Sequence, residues 1–355
     1  MRIAWIVYGT LDQITGGYLY DRLVVERLRA QGDDVEVVSL DPAPRSRVLS
    51  GLALSRRLAR AAPAVVVGDE LCFRELGPAF AALPRRIARV LLVHHLSAWE
   101  LPPGPRRAAL SLLEGAVIRL SDVHLATSAT TAARLRREHG LARVEVALPG
   151  ADRLALLPCA AREGGPLRIV FVGSFIPRKG LLELLAAFER IGSEAATLVL
   201  VGDRARDPAY GGAVRRAIAG SAFLRAHVAA LGVLGDDALA AELARADALI
   251  LPSSLEGYGM VLTEAVRAGV PVLASRAGAI AEVVQDGAEA LLWDDGEGLV
   301  RALSRFLSDA PLRASMRRAA VARSAGLPTW DGTAAVVRAA VERSVACRSG
   351  TFSGG

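Results

Sequence analysis

Apolar runs and amphipathic stretches alternate along almost the whole chain. The run "RIAWIVYG" (2–9) reads as a buried strand, and "YLYDRLVVERLRAQG" (18–32) as an amphipathic helix stopped by Gly32. Further strand-like runs are "DVEVVSL" (34–40), "AVVVGD" (64–69), "RVLLVHH" (89–95), "DVHLATS" (122–128) and "VEVALPG" (144–150), with helical stretches between them. That order predicts a parallel, doubly wound sheet. The Pro- and Gly-containing stretch "LPCAAREGGP" (157–166) reads as a linker.

The alternation then restarts. Strands are expected at 167–173, 196–203, 227–232, 247–252 and 271–275, and helices at 180–191, 237–246, 260–268 and 278–285. A last long helix, 330–346, has no strand after it and is expected to return to the first domain. The predicted class is α/β, with two Rossmann-like doubly wound domains, 1–157 (plus 330–346) and 166–329, facing an interdomain cleft. Ligands bind such sheets at the carboxyl ends of their strands. A Ser/Gly-rich tail at 349–355 completes the chain.

A length of 355 residues agrees with about two domains. No apolar stretch approaches the ~18 residues of a spanning helix. The start lacks the apolar region and cleavage site of a signal peptide. Cys72, Cys159 and Cys347 are odd in number and far apart, with no metal or redox spacing, and a cytoplasmic protein with unpaired thiols is the simplest reading. The net charge is +6, yet no nucleic-acid signature accompanies it. Of 43 Lys+Arg residues only Lys179 is lysine, leaving 43 − 1 = 42 arginines. A chain that writes Arg wherever charge is needed has one lysine to explain.

Three motifs carry candidate chemistry. "GSFIPRKGLLELL" (173–185) follows a strand and opens a helix. Its helix-start N–H groups, with Arg178 and Lys179, suit a diphosphate; a generic turn with a basic tip is the plainer reading. "TGGYLYDRL" (15–23) sets Gly16 and Gly17 before a helix, where a backbone can approach a ligand, or simply turn. "LEGYGMVLTEA" (255–265) holds Glu256 and Glu264 eight positions apart around Gly257 and Gly259. They are either two solvated charges or two acceptors for the hydroxyls of one ligand.

This last stretch resembles the Glu-x7-Glu signature of glycosyltransferase family 4, retaining nucleotide-sugar enzymes of the GT-B fold. Matching fragments run over roughly 340 residues. They include the Gly16-Gly17 loop, "TSATTAARL", "LPGAD", "VGSFIPRKG", "VGD", "LPSSLEG", "AGVPVLASRAGAIAEVVQDG" and "TWDGTAAVV". The resemblance implies that Glu264 accepts from the nucleotide ribose and Glu256 from the donor sugar. Gly257, Tyr258 and Gly259 would line the sugar–phosphate, and Met260 and Val261 the diphosphate. Arg178 and Lys179 would neutralise the leaving diphosphate, Gly16 and Gly17 would cap it, and Val233 would lie near the base. One of His94 and His95, with His95 preferred, would face the sugar.

The chain departs from the family pattern in two places. Gly173-Ser174 stands where many members have Gly-Arg, so Arg178 is the candidate replacement. "LPGAD" stands where "PNGVD" is common. The resemblance implies a hexosyl transfer with retention, from a UDP-sugar by preference or another NDP-sugar, to a lipid-linked or glycan acceptor or a small natural product. The acceptor would attack on the face of the leaving phosphate, which takes its proton. No cofactor and no metal are expected, because no Asp-x-Asp ends a strand near the nucleotide motifs. A nucleotide-sugar-binding protein without catalysis, an epimerase and an inverting transferase are the alternatives; none is expected to keep this motif order. Arg45, Arg47, Arg56, Arg57 and Arg60 in "RSRVLSGLALSRRLARAA" (45–62), and the basic-apolar stretch 102–120, form either a solvated basic face or a surface for peripheral contact with anionic membrane or an anionic acceptor.

Overall fold

The computed structural model describes residues 1–155 and 164–349. Most of the expected linker, with Cys159, and nearly all of the tail lie outside the described residues. The chain forms two compact units, Met1–Pro149 with the segment from Thr329, and Gly150–Pro328.

The first unit runs β1 (Arg2–Tyr8), α1 (Gly16–Ala30), β2 (Asp34–Leu40), α2 (Arg47–Ala61), β3 (Val65–Asp69), α3 (Phe73–Ala82), β4 (Ala88–Val93), α4 (Pro105–Leu120), β5 (Val123–Ala126), α5 (Ala129–His139) and β6 (Glu145–Val146). All its strand pairs are parallel, in the order β2-β1-β3-β4-β5-β6. Strands buried on both faces explain the unbroken apolar runs: Val65 to Val67 and Val90 are fully enclosed.

The second unit runs β7 (Leu167–Val172), α6 (Leu181–Ile191), β8 (Ala196–Val201), α7 (Pro208–Gly220), α8 (Ala222–His227), β9 (Val228–Gly232), α9 (Asp236–Ala244), β10 (Ala248–Leu251), α10 (Met260–Arg267), β11 (Val272–Ser275), α11 (Ile280–Val283), β12 (Ala290–Trp293), α12 (Gly296–Ser308) and α13 (Ala310–Ser324). Its strands are also parallel, ordered β12-β11-β10-β7-β8-β9. The direction of winding reverses between β7 and β10. At such a point the loops leaving two neighbouring strands diverge and open a crevice.

Helix α14 (Trp330–Ser349) belongs to the first unit. It buries Trp330, Ala334, Val337, Ala340 and Val341, a spacing that keeps one helical stripe inward. Trp330 meets Tyr20 of α1 edge to face at 5.6 Å, and the Thr333 hydroxyl donates to the Leu148 carbonyl at 2.6 Å.

Several expected boundaries move. The run 144–150 contributes only the two-residue β6, and the helix expected at 278–285 shrinks to the four residues of α11. Helix α1 starts at Gly16 rather than at 18, because extended Thr15 caps it and its carbonyl accepts from Leu19 N at 2.9 Å. Strand β12 and helices α12 and α13 were not anticipated. "ALLW" is four residues long, and periodicity cannot tell so short an apolar run from part of a helix.

Candidate functional site

The loops leaving β7 and β10, at the reversal point of the second sheet, are joined by backbone and side-chain contacts. Ser254 N donates to the Arg178 carbonyl at 2.8 Å. A short 3-10 turn, Pro177–Lys179, brings both cations to the β10 loop. There the Lys179 ammonium donates to Glu256 Oε1 at 2.6 Å, and the Arg178 guanidinium lies 3.7 Å from Glu256 Oε2. Arg178 also donates to the Leu255 carbonyl at 2.5 Å. The Lys179 stem passes over Gly173, where an added Cβ would sit 3.4 Å from Lys179 Cε. Ser174 follows, half-buried.

The two glutamates are not solvated charges. Glu256 is 7 % exposed and Glu264 3 %. Burial pushes the Glu256 carboxyl up, but Lys179 and then Arg178 outweigh it and hold it below the usual carboxylate range. Glu264, in the second turn of α10, is raised by burial, with Arg153 opposing. Gly259 caps α10 without a side-chain bond, so the first N–H groups of that helix, at Met260 and Val261, stay available to an anion. Gly257 is half-buried in the loop, and Tyr258 is buried with its hydroxyl pKa raised by enclosure. Val233 follows β9 and is 45 % exposed.

Sequence reasoning missed two supports of this site. Gly278 turns with φ +63° directly against Glu256, and a Cβ there would fall 2.1 Å from the Glu256 carbonyl oxygen. That carbonyl accepts from Ala279 N at 2.9 Å, so the loop after β11 fixes the Glu256 backbone. The second is Arg153, whose Nε and Nη2 both reach Glu264 Oε1, at 2.9 and 2.7 Å. Gly278 lay inside a family-like fragment but carried no role. Arg153 follows "LPGAD" directly, and one arginine among 42 has no distinguishing signal.

In the first unit Gly16 and Gly17 lie within the first turn of α1. Gly17 is opposite His94, where an added Cβ would be 3.4 Å from the imidazole. The imidazole therefore packs beside Gly17, at a distance where a Cβ would make ordinary contact. His94 also meets Tyr20 edge to face at 5.2 Å, and its Nε2 lies 3.8 Å from Asp21 Oδ1. Burial lowers its pKa, with Asp69 opposing. His95 instead pairs Nε2 with Glu100 Oε1 at 2.6 Å. Asp21, Asp69 and His94 offer ligand atoms within 4.8 Å of one another, which bears on the expectation that the protein needs no metal. Burial raises both carboxyls to about 7, so protons compete there with any cation.

The basic face of α2 is smaller than its sequence suggests. Arg47 turns inward onto buried Glu75 at 2.6 Å, and Arg57 pairs with Glu36 at 2.7 Å. Arg45, Arg56 and Arg60 remain exposed. Among the described residues no helix is long and apolar enough to cross a membrane.

Two family models match in tandem: a glycosyl transferase 4-like domain over residues 14–150 and glycosyl transferases group 1 over residues 160–323. The chain belongs to the family 4 type of GT-B glycosyltransferases. It is 34% identical over 190 residues to the glycogen synthase of Mycobacterium tuberculosis, covering 52% of this chain and 44% of that protein. A D-inositol 3-phosphate glycosyltransferase from Streptosporangium roseum is 31% identical over 256 residues, 65% of this chain and 57% of the relative. This family member thus spans about half the length of the curated relatives it matches. Among solved structures, sucrose-phosphate synthase from Thermosynechococcus elongatus superposes with a TM-score of 0.81 at 20% identity, covering 97% of this chain and 99% of that one. HepE from Anabaena, in complex with UDP-glucose, gives 0.76 at 16% identity, with 99% and 100% covered. These two likenesses show a shared fold.

Proposed function

We propose that the family 4 chain is a retaining glycosyltransferase that moves a hexosyl group from a nucleoside-diphosphate sugar, UDP by preference, to a hydroxyl of a lipid-linked or glycan acceptor or a small natural product. The observation that carries this reading is the Lys179–Glu256 pair, with Arg178 beside it, at the reversal point of the second sheet. A buried carboxylate held ionised by two cations accepts strongly from sugar hydroxyls. The same cations meet the negative charge that grows on the leaving phosphate. Glu264 takes the ribose hydroxyls, and the start of α10 takes the diphosphate. No cofactor or metal is assigned a step.

Retention follows if the leaving phosphate accepts the proton of the incoming hydroxyl on one face of the sugar. The carboxylates of this site are already engaged with cations, Glu256 with Lys179 and Glu264 with Arg153, which suits them to recognition rather than nucleophilic attack. UDP is favoured because a neighbour of the same fold is solved with UDP-glucose. We assign acceptor choice to the first unit. There Val48 and Leu49 of α2 and Leu112 and Leu113 of α4 are exposed, and Arg45 and Arg106 are exposed beside them in sequence, which supports peripheral contact with an anionic membrane from the cytoplasmic side.

A thermal-shift series with UDP-, GDP- and ADP-sugars tests the donor reading. We expect one nucleotide class to raise the melting temperature in a concentration-dependent way, with UDP-sugars strongest. No shift with any of the three would contradict it.

A further inference from the structure

We propose that Arg153 is the positioning residue for nucleotide recognition: its fork holds Glu264 turned so that one carboxyl oxygen is left for the ribose. This rests on the reading that Glu264 receives the ribose hydroxyls.

The geometry is one-sided. Two guanidinium nitrogens of Arg153 converge on Glu264 Oε1, at 2.9 and 2.7 Å. Among the described residues no group bonds Oε2. The third nitrogen, Nη1, is held by Asp236, the first residue of α9. Arg153 is thus fixed at both ends of its fork, and only 8 % of its side chain is exposed. Lysine could not do this, since a point charge makes no planar, three-way contact.

The electrostatics point the same way. A carboxyl at the depth of Glu264 would rise toward the neutral form, and a neutral carboxyl accepts poorly from paired hydroxyls. Arg153 opposes that rise, so removing it would push the carboxyl further towards the neutral form. Asp236 stands in the same loop-to-helix junction as Val233, the residue expected beside the base. The Asp236–Arg153–Glu264 chain therefore links base-side loop and ribose acceptor in one charge network, all within the second unit. Arg153 comes from the stretch entering that unit, where Ala151 N is anchored to the Pro328 carbonyl at 2.8 Å.

The test measures affinity for UDP, or for whichever diphosphate binds best, and for its 2′,3′-dideoxy analogue, between pH 5.5 and 8.5. Wild type, Arg153→Met, Arg153→Lys and Glu264→Gln are compared. The ratio of ribo to dideoxy affinity within one protein cancels any loss of folded fraction. In wild type the ratio should be large, and it should change with pH less than in Arg153→Met. In Arg153→Met it should fall about tenfold or more, and fall further as pH drops and Glu264 takes a proton. Arg153→Lys should restore part of it. A wild-type ratio and pH profile in Arg153→Met would overturn the inference while leaving Glu264 as the ribose acceptor. An unchanged ratio in Glu264→Gln would remove the ribose reading and this inference with it.

Discussion

The ammonium of Lys179, the chain's only lysine, lies 2.6 Å from Oε1 of Glu256, on the loop of a neighbouring strand. The two residues are 77 positions apart, yet β7 and β10 are paired in one sheet, so their exits meet. The contact makes Lys179 do two tasks. It holds the pKa of a buried carboxylate down and, on the reading proposed above, it meets the charge of the leaving phosphate.

Lys179→Ala should therefore weaken donor binding by about 1.5–3 kcal/mol, the worth of a hydrogen bond to a charged group, and slow turnover. It also leaves Glu256 with less opposing charge, so burial should raise its pKa. Lys179→Arg should recover only part, because a fork does not replace a point charge in this space. Calorimetry with the donor and initial-rate assays check both. An alanine variant with the wild-type affinity and rate would remove the phosphate role.

The two glutamates should separate by substrate fragment. Glu264→Gln should weaken binding of the free nucleoside diphosphate. Glu256→Gln should spare that affinity and lower sugar transfer. Equal loss of free-diphosphate binding in both variants would contradict this division.

Gly278 is expected to be intolerant. With φ +63° and the Glu256 carbonyl in the path of a side chain, Gly278→Ala must move the loop that anchors Glu256. We expect a stability loss of about 1–3 kcal/mol and weaker donor-sugar binding, read from denaturant melts and calorimetry. A variant with unchanged stability would mean that the loop after β11 shifts freely.

The first unit should show a pH dependence traceable to Asp21. Its folded pKa is raised to about 7 by burial, above that of an unfolded aspartate. Between these values the folded state binds more protons than the unfolded one, so stability should fall as pH rises toward 7 and level off above it. The side chain of Asp69 faces Asp21, as does the His94 ring; Glu70 adds to the same acidic surroundings, and the Trp5 indole N–H lies nearby without a hydrogen bond to it. Asp69, raised to about 7 by the same burial, adds to the slope, so Asp21→Asn should reduce it in chemical denaturation run from pH 5 to 8. An identical slope in wild type and variant would move the effect to another group.

The parallel sheets were legible because strands buried on both faces must be apolar throughout, and segments such as "AVVVGD" and "DALILP" recur in alternation with amphipathic stretches. The glutamate motif and the lysine were legible because glycines and a composition bias set them apart. Long-range pairings were not. Nothing near Glu264 indicates Arg153, 111 positions away, and nothing near Gly17 indicates that it packs beside His94. Such contacts are made by the fold, and a pattern read within a window of ten to twenty residues does not contain them. Short elements were misjudged for a related reason: β12, four residues long, escaped, and α11, also four, was expected to be longer, because both are defined by partners rather than by period.

The central claim is transfer of a sugar from a nucleoside diphosphate with its anomeric configuration kept, the leaving charge being met by Lys179, Arg178 and helix N–H groups. Proton NMR of the first-formed product, with water or an added alcohol as acceptor and with or without excess EDTA, tests it most directly. The account predicts a product with the donor's anomeric configuration, formed at the same rate in both conditions. An inverted anomeric centre would contradict the mechanism, and loss of transfer in EDTA would show that a bound cation, with Asp21, Asp69 and His94 the first ligands to examine, carries charge assigned here to the side chains.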